Sequence, residues 1–196
     1  MNFKTCFIAV FLVITIFANY TLAEDTVPLD IQAELLLNAL SYDKNLEKGD
    51  GSQFDIAIVY FSWFNASKAE GATFSQILRG FKDRKISGRS FNVIRLSYNG
   101  DYGLKEKIAG KNVKVLLICG EEESMIRDIT QLTQSMKILS FISNAKLLNS
   151  GNVTMAVGLK ENKPKIFLNL SSAKAEGADF SAKFLRVANI VDENGE

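Results

Sequence analysis

The chain alternates between two hydrophobic rhythms. Positions 54–61 (FDIAIVYF), 90–96 (SFNVIRL), 113–119 (VKVLLIC) and 138–142 (ILSFI) are short apolar runs rich in β-branched and aromatic residues. Runs of that length and composition predict buried strands. Between them the apolar residues recur every three or four positions, the period of a helix with one buried face. Ile31, Leu35, Leu36, Ala39 and Leu40 form such a stripe over 28–48, with Pro28 suited to a first helical position. Gly49 to Ser52 would end that helix with turn chemistry. Phe74, Ile77, Leu78 and Phe81 mark a second helix over 72–82, and 103–109 predicts a short third. Met125, Ile126, Ile129 and Leu132 place another over 124–136. The 113–119 run is nearly all apolar, which predicts a central strand covered on both faces.

The last third changes rhythm. Residues 154–159 and 165–170 read as two more strands, joined through the polar stretch 160–164, with Pro164 restricted to a strand edge. A loop of small residues follows. A final helix then carries Phe180, Phe184, Leu185, Ala188 and Val191 on its apolar side. Strand and helix alternate through the first four strands, so that part of the sheet should be parallel with helices on its faces. The expected fold is a single-domain α/β protein. Its mixed sheet has about six strands flanked by about five helices and closes with an antiparallel hairpin followed by a helix.

The amino terminus stands apart. Lys4 precedes an apolar run, Phe7 to Phe17, and Thr21-Leu22-Ala23 supplies small residues before Glu24. Those three parts make a secretory signal peptide over 1–23, with the folded domain over 24–196. The run is shorter than the ~20 residues a membrane span needs. The whole chain has 23 basic and 22 acidic residues, and the leader holds one lysine and no acid, so the mature part balances to zero. A neutral protein has no global electrostatic pull toward nucleic acid or an anionic membrane surface. Cys6 leaves with the leader, and Cys119 remains without an intramolecular partner. Histidine is absent, which removes Ser-His-Asp and Cys-His triads and most zinc sites.

The chemical candidates are few. Neither phosphate-binding glycine loop occurs, and no cofactor is expected. Asp43 to Glu47 begins like a calcium loop, but Lys48 stands where glycine is needed and Phe54 where the bidentate glutamate belongs. Cys119 closes the 113–119 strand. Without a histidine to lower its pKa, and with Glu121, Glu122 and Glu123 close by, it reads as a small core residue. Those three glutamates fit the positive end of a helix dipole better than a cation site. Arg79, Lys82, Arg84, Lys85 and Arg89 fit a solvated helix end, with an acidic partner as the alternative. Asn65, Asn152 and Asn169 match the N-glycosylation pattern, though Asn169 falls in a predicted strand. Strand carboxyl ends are where ligands collect in open α/β sheets. Ser62, Trp63 and Asn65 after the first strand, with Gly120 and Glu121 after the third, are therefore the candidate partner- or ligand-binding residues. Trp63 is the one tryptophan of the chain and suits either core packing or a binding anchor.

The carboxyl-terminal block carries a resemblance. Val157-Gly158-Leu159, Pro164 to Leu170, Ala173-Lys174, Glu176-Gly177, Phe180, Leu185 and Ala188 resemble the YfiR/HmsC family. Val27-Pro28-Leu29, Gln32 to Leu36 and Tyr42 to Leu46 are similar to that family's first helix, so the likeness runs from Thr26 to Asp192. The resemblance implies a non-catalytic periplasmic regulatory protein. Its partner would be a membrane sensor, a diguanylate cyclase or a histidine kinase, and the protein could pair as a homodimer. In the best understood relatives the partner is an inner-membrane diguanylate cyclase, held inactive, and an outer-membrane lipoprotein sequesters the regulator. Some relatives carry disulfides and respond to redox state, whereas Cys119 here has no internal partner. A periplasmic small-ligand-binding protein is the alternative function.

Overall fold

The computed structural model describes residues 26–47, 52–100 and 103–191. The expected leader over 1–23 and residues 49–51 of the expected turn lie outside them. Among the described residues seven strands form one open sheet in the spatial order β2-β1-β3-β4-β5-β6-β7. They are β1 (Gln53–Phe61), β2 (Ser90–Tyr98), β3 (Val113–Cys119), β4 (Leu139–Ile142), β5 (Met155–Lys160), β6 (Lys163–Asn169) and β7 (Asn189–Val191). The first five run parallel, β6 turns antiparallel to β5, and β7 pairs parallel with β6. The order 2-1-3-4-5 is that of the flavodoxin-like doubly wound sheet.

Alternation along each strand divides the core in two. Ile56, Ile58, Val115, Leu117 and Cys119 face one side, where they meet α1 (Leu29–Leu40) and α3 (Asn65–Gly80). Ala57, Val59, Phe61, Leu116 and Ile118 face the other, under α4 (Gly103–Ile108) and α5 (Glu123–Met136). Helices thus cover both faces, and β1 and β3 are nearly continuous apolar strands. On β2, the outer strand, two cations occupy backbone carbonyls: Lys107 Nζ donates to Ser97 O at 2.7 Å and Arg79 Nη2 to Val93 O at 3.3 Å. Carbonyls of an edge strand that are already occupied in this way are less open to pairing with a second chain.

The expected α/β class, the mixed sheet and the terminal hairpin followed by a helix all stand. Four details differ. The first helix stops at Leu40, and α2 (Lys44–Glu47) starts anew after a turn in which Asp43 bridges Phe180. Asp43 Oδ1 accepts the backbone N–H groups of Asn45 and Asp179, which breaks the expected continuous helix over 28–48. The second helix begins at Asn65, seven residues before its expected start at 72. Its first turns pack with small residues: Ser67 and Gly71 are buried beside Phe74, Ser75 and Leu78 at helical spacing. A Cβ on Gly71 would stand 3.3 Å from Tyr60 Cβ, so helix and strand approach closely there. The hairpin needs only Glu161 and Asn162 in its turn, both with positive φ (53° and 58°), as a type I′ connection demands.

The fourth difference concerns the end of the chain. The small-residue loop is helix α6 (Leu170–Ala175), and the expected long final helix is one turn, α7 (Ala182–Leu185), followed by β7. Asn169 is 2% exposed and its Oδ1 accepts the Ser172 N–H at 3.0 Å, which starts α6 as an N-cap. That burial and that bond leave no room for a glycan. Phe180 and Phe184 are buried as expected and lie tilted against each other, 4.8 Å between ring centroids. The basic cluster is largely structural. Arg89 is 5% exposed, donates to Leu46 O and sits 5.4 Å from the Phe54 ring centroid, while Arg84 donates to Asn38 Oδ1.

Candidate functional site at the carboxyl edge of the sheet

In a doubly wound sheet the chain leaves neighbouring strands toward opposite faces at one point, and a crevice opens there. Here that point lies between β1 and β3. From β1 the chain enters α3 on one face, and from β3 it enters α5 on the other. Ser67 ties the two strand ends together. Its Oγ accepts the Phe61 N–H at 2.8 Å and donates to the Cys119 carbonyl at 2.6 Å.

Phe61 organises the surface above this tie. Its ring lies parallel to Trp63, with 5.6 Å between centroids and 2° between planes, and Tyr98 leans on it at 6.2 Å. Gly120 presses against the same ring: its φ is 135°, and a Cβ would stand 2.5 Å from Phe61 Cε2. Ser62 donates its hydroxyl to Asn99 Oδ1, and its N–H goes to Tyr98 O. Asn65 opens α3 at the surface, with its Oδ1 taking a bond from Lys68 Nζ. Trp63 (51% exposed) and Phe64 (45%) therefore form an exposed aromatic shelf backed by a buried ring.

Glu121 belongs to a different neighbourhood. It points into a cleft of about 600 Å³ between the amino-terminal end of α1 and the carboxyl ends of β4 and β5. Glu70 of α3, Gln32, Ser143, Asn144 and Lys146 are among the polar lining, with Val27, Val157 and Phe167 among the apolar contacts. Asn144 Nδ2 donates to Glu121 Oε1 at 3.0 Å. Burial lifts the Glu70 carboxyl above its ordinary pKa; a hydrogen bond with Ser143 opposes the shift and the nearby Glu121 charge adds to it. Of the five candidate residues, Ser62, Trp63 and Asn65 share the shelf, Gly120 supports it from below, and Glu121 alone reaches the cleft.

Glu70, Gln32, Ser143 and Asn144 escaped the sequence reading. The signal for Glu70 was the helical spacing of Ser67, Gly71 and Phe74, which small polar residues disguised. Glu122 and Glu123 behave as helix-start carboxylates: Glu122 accepts from Ser124 and Glu123 pairs with Arg127 at 3.3 Å. Among the described residues no group of three or more His, Cys, Asp or Glu stands close enough to hold a metal ion.

Cys119 is wholly buried. Burial first, then the Glu70 carboxylate, push its thiol well above the ordinary value, against a smaller opposing pull from Arg95. A water-soluble thiol reagent should therefore leave the native protein without residues 1–23 unlabelled for hours and label it stoichiometrically once denatured. Rapid labelling of the native protein would contradict this burial.

The strand order and the helices on both faces define a doubly wound α/β domain. Within that class the chain belongs to the YfiR/HmsC-like family, whose sequence model matches residues 30–189. No curated protein matches it significantly. Three solved structures share the fold at low identity. An ABC domain from Streptococcus pneumonia in complex with L-Trp is 13% identical with a TM-score of 0.56, covering 84% of this chain and 60% of that one. The ligand-free, open CD0873, a substrate binding protein with adhesive properties from Clostridium difficile, is 13% identical with a TM-score of 0.59, covering 85% and 60%. A conserved domain protein from Vibrio cholerae is 14% identical with a TM-score of 0.56, covering 83% and 60%. The chain thus spans about three-fifths of each of these chains, and the likeness is one of fold. Among the described residues no helix is long and apolar enough to cross a membrane.

Proposed function

We propose that the protein is a non-catalytic periplasmic regulator that acts by docking on a membrane sensor, a diguanylate cyclase or a histidine kinase. Family membership across residues 30–189 carries this reading. The leader over 1–23 supports export with cleavage, and the shelf of Trp63 and Phe64 offers a docking anchor of the kind that dominates interface energetics. Ser62 and Asn65 would supply its polar rim, and Gly120 its rigid backing.

The test is crosslinking in the native cell from a photoreactive residue at position 64, with identification of the captured membrane protein. Trp63→Ala should lower that capture by about tenfold or more, the loss typical of an aromatic hot spot. Its melting temperature should stay near that of the parent, because the ring is half exposed. Deletion should change cyclic-di-GMP if the sensor is a cyclase. Capture of no membrane protein, together with unchanged signalling in the deletion strain, would remove the docking role.

A second reading, a small-ligand-binding protein, draws on the cleft of about 600 Å³, a size within the range of small-molecule sites. The L-Trp complex and the substrate binding protein with the same fold support it by analogy of architecture. Thermal-shift screening against a broad metabolite panel tests it.

A further inference from the structure

Three acceptors line the cleft beside α1: the carboxylates of Glu70 and Glu121 and the side-chain oxygen of Gln32. Gln32 is 3% exposed, and its Nε2 donates to Val27 O at 2.8 Å. Its Oε1 accepts no hydrogen bond from any described residue. A buried amide oxygen left unpartnered costs about 1–3 kcal/mol, so it marks a place where a donor is wanted. Neither Glu70 nor Glu121 forms an ion pair with a described residue.

We propose that this cleft binds a small organic ammonium ligand, an amine carried on an apolar body, with Glu70 and Glu121 receiving the charged head beside Gln32 Oε1. The proposal rests on the small-ligand reading above and names its chemistry. Two carboxylates facing one cavity repel each other, and a cation between them relieves both charges. Burial and the neighbouring carboxylate already work against the charged form of Glu70. An ammonium head offers three N–H donors to three acceptors. A bare metal ion would need more oxygen ligands than these and would leave the rest of the lining unused. That lining is apolar: Val27, Leu29, Val157, Leu159 and Phe167 border the cleft. Gly158 keeps the wall thin, since a Cβ there would meet Ala145 Cβ and Phe167 Cε2 at 2.9 Å each. The positive end of α1 also borders the cleft, and Asp30 in its first turn offsets it. Lys146 stands among the lining residues as well, so the charges do not all have one sign.

The experiment uses a matched pair of probes, n-hexylammonium and hexanoate, which share an apolar body and differ in the sign of the head. Binding to the purified protein is followed by amide NMR shifts. Hexylammonium should bind with roughly millimolar affinity, as expected for a ligand of so few atoms. It should shift the amides of Gln32, Glu70 and Gly158 first. Glu70→Gln, which keeps the side-chain shape, should weaken it about tenfold, the loss of one charge-assisted contact, and Glu121→Gln should weaken it less. Hexanoate should not bind. Hexanoate binding as well as the amine would leave a ligand site and overturn its ammonium character. Equal amine binding by the parent and both variants would overturn the assignment of the carboxylates. No response to either probe would overturn the cleft as a site for such ligands.

Discussion

Glu176→Ala should cost about 3 kcal/mol of stability, or roughly 6–12 °C in melting temperature for a domain of this size, whereas Glu176→Gln should cost about 1 kcal/mol or less. Glu176 is 2% exposed and follows α6. Its Oε2 accepts the Ser140 N–H at 2.7 Å and the Thr154 hydroxyl, and its Oε1 faces the Thr133 hydroxyl. One side chain thus joins β4, the start of β5 and α5. Alanine would strand the Ser140 N–H, which cannot rotate toward another acceptor, and would leave a void among buried groups. Glutamine keeps one oxygen for Ser140 and Thr154. Its Nε2 can donate to Thr133 Oγ1, whose own proton then goes to Thr130 O at 2.9 Å. Chemical denaturation of the three proteins measures the costs. An alanine variant within 1 kcal/mol of the parent would show that the buried network contributes little.

The same site gives a pH dependence. Burial raises the Glu176 carboxyl above its ordinary value, against the hydrogen bonds from Ser140, Thr133 and Thr154. The native carboxyl therefore holds its proton more tightly than the unfolded chain does. Its contribution is fully present below the ordinary carboxylate pKa and is lost as pH rises through the raised native value. Glutamine mimics the protonated acid and lacks that loss. The stability gap between parent and Glu176→Gln should therefore move in favour of the glutamine variant as pH rises from 4 to 7.

How much of this was legible in the sequence depends on whether the signal was local. The strands at 54–61 and 113–119 were, because a central parallel strand is apolar on both faces and shows it in nearly every residue, while the edge strand at 90–96 showed itself through its buried Phe91, Val93 and Leu96. The two-residue turn at Glu161 and Asn162 was hidden, because neither is glycine, yet both take positive φ. The break after Leu40 was hidden too: its cause is Asp43, whose partner Asp179 lies 136 residues away. At the candidate site, the grouping of Ser62, Trp63 and Asn65 followed from chain order alone. The separation of Glu121 from them did not, because it depends on Glu70, Ser143 and Asn144 arriving from elements that sequence places far apart. Glu176 was visible only as part of a family pattern. Its acceptor role is written in threonines and a serine of other elements.

Gly120→Ala should both destabilise the protein and disturb the shelf. Two costs add. A φ of 135° is open to glycine and strained for alanine, at about 1–3 kcal/mol. The new Cβ would also overlap the Phe61 ring, at 2.5 and 2.6 Å from two of its atoms, and overpacking of a buried ring costs about 1–3 kcal/mol more. Controls separate the two costs. Gly110 and Gly88 also have positive φ, 75° and 78°, but a Cβ at either would meet nothing within 4 Å. Gly110→Ala and Gly88→Ala should therefore show the conformational cost alone, about 1 kcal/mol. Trp63 and Tyr98 both rest on the Phe61 ring, so displacing that ring should disturb the parallel stack at 5.6 Å. Trp63 is the single tryptophan, and its fluorescence reports that stack directly. The emission of Gly120→Ala should shift, while that of both controls should match the parent. If Gly120→Ala behaves like Gly110→Ala in both stability and emission, the contact between Gly120 and Phe61 is not what holds the shelf. If emission shifts and membrane capture from position 64 falls with it, the rigidity of the Phe61 platform is itself part of the docking surface.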